Sequence, residues 1–253
     1  MIEQRYFFWI AYNGSTFHGW QNQPNGQSVQ SELENALNIL FRKPICVIGA
    51  GRTDAGVHAK QMVAHADLPL VDDGAKLLNQ LNGILPSTIS INRIQKVRSD
   101  AHARFDALSR TYEYWIVTHK NPFAQQLAGS FYFPLDFQAM NQAAAVLKDY
   151  EDFTSFSKLH SDVKTNVCHV TEAFWEQRNE FWVFTITANR FLRNMVRAIV
   201  GTLLLVGRGK ITLEEFRAII ESKNRCKAGP SVNPNGLYLV RVEYPSSVFE
   251  DNR

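Results

Sequence analysis

The stretch Gly49-Ala50-Gly51-Arg52-Thr53-Asp54-Ala55-Gly56-Val57-His58-Ala59 constrains this chain more than any other part of it. Its glycines permit positive φ or the close approach of a ligand to the backbone. Asp54 is its only acid, and the apolar run Ile45-Cys46-Val47-Ile48 leads into it. The stretch therefore reads as an active-site loop delivered by a strand, and the fold has to be one that presents such a loop.

The segments around it switch between two periods. Arg5 to Tyr12 is aromatic and β-prone and ends in the turn Asn13-Gly14-Ser15. Val29, Leu33, Leu37, Leu40 and Phe41 recur at helical spacing behind Ser28 as a cap, with Pro44 closing the segment. Strands are expected at 45–48, 62–66 and 89–97, and a helix at 75–85 stopped by Pro86. His102-Ala103-Arg104-Phe105-Asp106-Ala107 is the crossing into a second half. There a strand at 111–118 and a helix at 136–148 precede a hairpin of 167–177 with 181–188, turned at Arg178-Asn179-Glu180. The longest helix is expected at 191–206 with Gly207 as its stop, and the capping box Thr212-Leu213-Glu214-Glu215 opens a short helix to Lys223. A strand at 237–243 closes the chain. Arg5 followed by Tyr6-Phe7-Phe8-Trp9-Ile10 is echoed by Arg110 followed by Thr111-Tyr112-Glu113-Tyr114-Trp115-Ile116, which fits an internal duplication and equally the ordinary likeness of aromatic strands. Such a pattern predicts an α+β fold of α/β layers in two halves, 1–105 and 106–253.

Composition limits the setting more than the chemistry. With 253 residues, 45% of them hydrophobic, the chain can form one large or two medium domains with ordinary cores. A net charge of +3 is common among enzymes that never meet a nucleic acid, so charge alone decides nothing. Cys46, Cys168 and Cys226 are odd in number and far apart, as expected of reduced thiols. Met1 to Arg5 carries an acid and no basic n-region before a long apolar run, and Ala198 to Val206, interrupted by Gly201 and Thr202, is too short to span a bilayer. A cytoplasmic protein with no membrane association is the expectation.

Several familiar chemistries fail on these residues. A dinucleotide fingerprint starting at Gly49 needs glycine where Asp54 stands, and a carboxylate facing a pyrophosphate is electrostatically wrong. The frame Gly51-x-x-x-x-Gly56 is followed by Val57-His58 where a P-loop needs lysine and a hydroxyl residue. Histidines and cysteines never fall at zinc-ligand spacing, and no Gly-x-Ser-x-Gly elbow occurs, so no metal is indicated and no serine nucleophile is marked. An aspartate in a glycine-flanked turn ordinarily bonds its own backbone. Against that, Arg52 is two residues away, and Arg190, Arg193 and Arg197 fall at i, i+3 and i+7 along the expected long helix. That stripe is either a solvated face or a source of an arginine that orients a carboxylate.

Gly51-Arg52-Thr53-Asp54-Ala55-Gly56-Val57-His58-Ala59 is similar to the active-site signature of the TruA-type tRNA pseudouridine synthases. Further landmarks follow in the family's order: Gly19-Trp20-Gln21-x-Gln23, Ser28-Val29-Gln30, His102-Ala103-Arg104-Phe105-x-Ala107-x-x-Arg110-x-Tyr112-x-Tyr114, Asp152-Phe153-Thr154-Ser155-Phe156, Met195-Val196-Arg197-x-Ile199-Val200-Gly201 and Gly236-Leu237-Tyr238-Leu239. The resemblance implies a cofactor-free isomerase that converts uridine to pseudouridine at positions 38, 39 and 40 of the tRNA anticodon stem-loop. It also implies a homodimer whose subunits have two similar halves, each a mainly antiparallel sheet covered by helices, with a central RNA-binding cleft. By resemblance the catalytic group is Asp54, the substrate-stacking tyrosine Tyr112 and the active-site arginine Arg197. Substrate contacts fall on Arg52, which helps hold the target base out of the helix, and on His58, Arg104, Arg110, Tyr112 and Arg193. The chain departs from the pattern at Arg193-Asn194, where some relatives carry histidines, and in a longer loop from Ala228 to Asn235.

The chemistry suits these residue types. Detaching uracil from C1′, turning it and rejoining it through C5 calls first for a nucleophile or an elimination route through the ribose. An aspartate, with a reference pKa of about 3.9, is ionised at neutral pH without a general base. A tyrosine stacked on the uracil is worth roughly 1 to 3 kcal/mol and can assist removal of the C5 proton. The competing class is a non-catalytic RNA-binding protein that uses Tyr6, Phe8, Tyr112 and Tyr114 as stacking platforms. A nucleosidase lacks a second carboxylate placed as acid partner.

Overall fold

The computed structural model describes residues 3–24, 26–71, 73–158 and 165–249, so Met1 and Ile2 of the N-terminal reading lie outside the described residues. The fold is α+β, and the chain divides into two compact units, Met1–Leu108 with Leu239–Arg253, and Ser109–Tyr238.

In the first unit, β1 (Glu3–Tyr12) pairs antiparallel with β3 (His58–Pro69) on one side and β4 (Ile89–Lys96) on the other. The short β2 (Ile48–Gly49) pairs with β3, and from Leu239 onward β9 (Leu237–Glu243) belongs to this unit, beside β3. Tyr6, Phe8, Ile10 and Tyr12 are all buried on one face of β1, while Phe7 is buried on the other beneath Tyr244 and Phe249. Burial on both faces explains why the run is aromatic without polar alternation. The same cause hides the true length of β3, of which the sequence pattern marks only 62–66.

Helix α1 (Val29–Phe41) starts at Ser28 with a reciprocal cap to Ser31 and ends where Arg42 turns left-handed. Its polar side chains at i, i+4 and i+8 bind the chain that follows. Gln30 Nε2 donates to Val47 O (3.0 Å), Glu34 Oε1 accepts from Val47 N (3.0 Å), and Asn38 Oδ1 accepts from Ile45 N (2.7 Å). This corrects the expected strand at 45–48: the helix takes the backbone groups a ladder would use, and only Ile48–Gly49 pairs. Helix α2 (Gly74–Ile84), capped by Asp73, clamps β4 through Asn82, which bonds both N and O of Ile91.

In the second unit, β5 (Ser109–Val117) pairs antiparallel with β8 (Phe181–Ala188), and β8 forms a hairpin with β7 (Val170–Arg178) through Asn179 at φ 54°. A two-residue β6 (Gly129–Ser130) runs parallel to the end of β5. Helices α3 (Phe137–Val146), α4 (Met195–Gly207) and α5 (Leu213–Glu221) belong to this unit, and α5 opens on the capping box at Thr212 that the sequence predicts. Helix α4 begins later than expected and, at 13 residues, only equals α1 in length. It ends at Gly207, as expected, and that glycine also lets α3 pack closely, since a Cβ there would lie 2.4 Å from Met140 Sδ; Gly209, at φ +62°, makes the turn that follows.

Candidate active site

The Asp54 loop is fixed from several directions within the first unit. Upstream, Ala50 N donates to Val63 O (2.7 Å). Buried Thr53 is held twice, its Oγ1 by the Tyr12 hydroxyl (2.8 Å) and its carbonyl by Trp20 N (3.2 Å). Asp54 O accepts from Val57 N (3.1 Å), which closes the turn, and Gly56 supplies the left-handed residue at φ +78°. Downstream, His58 is buried on β3 and its Nδ1 accepts from Gly14 N (3.0 Å), which leaves its ring proton on Nε2.

Of the two uses expected for the glycines, positive φ and close approach of a ligand, the structure shows the first at Gly56 and adds a third at Gly49. Gly56 is needed for the turn. At Gly49 a Cβ would stand 2.5 Å from Trp20 Nε1, so this glycine makes room for the protein's own indole. Gly51 has open space before it, with nothing within 4 Å of a built Cβ. Gly19, at φ +92°, lets its strap lie against the loop, since a Cβ there would stand 2.4 Å from Thr53 O, and the strap is tied to α1 through Val29 N to Gly19 O (3.2 Å) and Gln30 N to Trp20 O (3.0 Å). The result is a half-buried carboxylate on a backbone held on both sides, with Arg52 exposed beside it. Preorganisation of this kind favours a reacting group that must not reorient during the chemistry.

The second unit gathers another set of predicted residues. Half-buried Tyr112 stands on β5 opposite Ile186, with its ring edge-on to Phe191 at 5.1 Å. Arg110 Nη1 donates to Asn189 O (2.8 Å). Arg197 lies in the first turn of α4, its Nε donating to Val232 O (2.8 Å) while Val232 N donates to Arg197 O (3.2 Å). The predicted arginine stripe does not exist. Asn194, left-handed at φ 68°, turns the chain immediately before Met195, so Arg190 and Arg193 precede the helix and only Arg197 rides on it. Arg193 is exposed, its carbonyl taken by Lys158 N (3.1 Å).

Residues outside the predicted set hold Arg197 in place. Gly201 lets the 228–232 segment lie on α4, because a Cβ there would reach 1.8 Å from Pro230 O. Thr202 Oγ1 accepts from Gly229 N (2.9 Å), Arg225 donates to Gly229 O (3.1 Å) and Ser231 Oγ (2.9 Å), and Asn194 Nδ2 donates to the same Ser231 Oγ (2.5 Å). Gln30, Glu34 and Asn38 do equivalent work for the first loop; of the three the sequence marked only Gln30, within the landmark Ser28-Val29-Gln30.

Burial counts against the stacking-platform alternative. Tyr6, Phe8 and Tyr114 are core residues, and burial pushes the Tyr114 hydroxyl well above the ordinary phenol range while it donates to Asn233 O (2.9 Å). Of the four aromatics offered as platforms, only Tyr112 keeps an accessible face. The three cysteines are free; Cys168 is buried and its thiol pushed up to about 11, whereas Cys46 and Cys226 are exposed instead of in a core. Among the described residues, no group of three or more His, Cys, Asp or Glu could hold a metal ion, and no helix is long and apolar enough to cross a membrane.

A family model described as tRNA pseudouridine synthase matches residues 143–245. Curated proteins extend the likeness to nearly the whole chain. The chain is 58% identical to tRNA pseudouridine synthase A of Bacteroides fragilis, over 99% of this chain and 100% of that protein. Identity is 57% to the protein of the same name in Bacteroides thetaiotaomicron, over 98% and 93%. It is 56% to that of Parabacteroides distasonis, over 97% and 98%. With likeness of this depth running through both the Asp54 loop and the Arg197 helix, the chain belongs to the tRNA pseudouridine synthase A family.

Proposed function

We propose that this protein isomerises uridine to pseudouridine in tRNA, that its targets are positions 38, 39 and 40 of the anticodon stem-loop, and that Asp54 is the group that acts at the ribose. The observation that carries the assignment of Asp54 is its loop: a half-buried carboxylate whose neighbours Thr53 and Val57 are pinned by backbone and buried side-chain hydrogen bonds. Such a carboxylate meets C1′, or draws a ribose proton, from a fixed position. Tyr112 stacks on the uracil and retains it between cleavage and reattachment, and its hydroxyl assists departure of the C5 proton. Arg197, its direction set by Val232 O, supplies a held guanidinium to the reaction.

Arg52 occupies the space left by the flipped nucleotide, at a site where unstacking costs a few kcal/mol. Arg104, Arg110 and Arg193 meet phosphates, so binding weakens steeply with salt. His58 serves the substrate through the loop it supports. The working form is a homodimer in the cytoplasm, without a cofactor. Incubating the purified protein with unmodified tRNA and mapping pseudouridine tests the proposal: conversion confined to positions 38 to 40 is expected. Conversion elsewhere would overturn the target assignment, and none at all would overturn the activity.

A further inference from the structure

The turn from His102 to Asp106 is tied at several points within the first unit. His102 N donates to Asp106 Oδ2 (2.7 Å), Asp106 N to His102 O (3.0 Å), and Arg104 N to His102 Nδ1 (3.1 Å). From the core side, buried His65 accepts Ala103 N at its Nδ1 (3.1 Å). The rings of His65, His102 and Phe105 then follow one another at 4.7 and 4.3 Å, from the core to the surface. Burial pushes His65 down to about 4 and holds His102 below the ordinary imidazole range, so both are neutral acceptors at pH 7. Phe105, outermost of the three, is 74% exposed, with the Arg104 guanidinium 5.7 Å from its ring centroid.

Nothing in the turn's own hydrogen bonding requires an aromatic residue at position 105, and the ring contributes little burial. A phenyl ring has no donor or acceptor, so it reads neither phosphates nor base edges; what it recognises is a flat face. Bases within an A-form helix keep both faces covered, whereas those of loops and flipped positions do not. The neighbouring guanidinium suits the phosphate of the same nucleotide. We infer that Phe105 and Arg104 form a binding site for an unstacked nucleotide of the RNA substrate, with Phe105 stacking on the base and Arg104 pairing with its phosphate. The site rests on the tRNA-modifying activity proposed above and adds to it a contact outside the reacting groups. Because the ring takes no part in chemistry, its loss is read in binding and not in the saturated rate.

The experiment compares Phe105→Ala, Phe105→Leu and Phe105→Trp with the wild type. It measures tRNA affinity at fixed salt, turnover at saturating tRNA, melting temperature and sedimentation. Alanine and leucine should weaken tRNA binding by roughly 5- to 100-fold, the loss expected for one base stack, while tryptophan retains it. Turnover at saturation, melting temperature and sedimentation should be unchanged in all three. Wild-type affinity in Phe105→Ala, or leucine serving as well as tryptophan, would overturn the site. So would a loss of assembly in step with the loss of binding, which would show that the ring packs against a second copy of the chain. A wild-type protein that failed to convert tRNA would overturn the activity itself; a converting wild type beside an indistinguishable Phe105→Ala overturns the site alone.

Discussion

The loop around Asp54 and the segment that supports Arg197 solve the same problem in different ways. In the first, side chains tie separate stretches together: Tyr12 to the Thr53 hydroxyl, His58 to the Gly14 amide, and Gln30 and Glu34 to the backbone of Val47. In the second, a segment lies close against a helix: Pro230 sits where Gly201 has no side chain, Val232 N donates to Arg197 O, and the Arg197, Thr202 and Arg225 side chains bond the segment's backbone. The contrast follows from what each must hold. A loop that carries its reactive group on itself needs its own peptides fixed. A long arginine starting from a helix needs its guanidinium aimed, and a neighbouring carbonyl on Nε does that.

The largest expected departure comes from Arg197→Lys, which keeps the charge and loses the planar guanidinium whose Nε bonds Val232 O. Turnover should fall on the order of 10²-fold with tRNA affinity little changed, given that a poorly held group loses that much rate. Wild-type rates would mean an ordinary surface arginine. Gly201→Ala pushes a methyl group into Pro230 O and should cost about 2 kcal/mol in chemical denaturation, in the range of overpacked cores. A neutral result would mean that the 228–232 segment yields easily, and the contrast between the two regions would weaken.

Acid should separate the two units. His65 belongs to the first, and its folded pKa of about 4 lies below the ordinary value of 6.5, chiefly through desolvation and then the charges of Arg5 and His102, opposed by Asp67 and Asp106. Below pH 6.5 the unfolded chain takes up a proton that the folded chain refuses, so stability is full above that pH and declines as pH falls toward 4. By pH 5 the loss is about 2 kcal/mol. Hydrogen exchange at pH 5 corrected for intrinsic rate should therefore quicken at Ala103 and Arg104 before it does in α4. Simultaneous quickening would place the acid-sensitive group elsewhere. The smallest effect is that of Tyr12→Phe, which removes one buried hydrogen bond to Thr53 and should lower stability by about 1 kcal/mol. A clear fall in turnover should accompany it, and stability loss without rate loss would show that Thr53 does not set the position of Asp54.

The same contrast explains what could be read from the sequence. Elements whose formation depends on local rules are visible there: the Ser28 and Thr212 caps, the hairpin at Asn179, the turn glycine Gly56 and the closing strand 237–243. Features settled by a distant partner are hidden. The run Ile45 to Ile48 has strand composition, but Gln30 and Glu34 claim its backbone. Arg190, Arg193 and Arg197 have helical spacing, but Asn194 adopts a left-handed conformation that no spacing rule reveals. Gly207 is readable as the end of its helix, but the room it makes for Met140 is not. The candidate site was legible where a residue's type carries its chemistry, as at Asp54, and illegible where residues act by holding others, as Gln30, Glu34, Thr202 and Arg225 do.

The central claim is that Asp54 performs the chemistry on a loop that does not depend on it for its shape. Asp54→Asn is nearly isosteric, and the loop contacts at Thr53, Val57 and His58 involve atoms other than the carboxylate. Release of tritium from tRNA carrying 5-tritiated uridine reports turnover directly, and tRNA affinity can be measured on the same preparation. The account predicts affinity close to wild type and tritium release reduced on the order of 10³-fold or more, as for loss of an enzyme's nucleophile. Tritium release within tenfold of the wild type, on the scale where a tenfold change is about 1.4 kcal/mol, would contradict it.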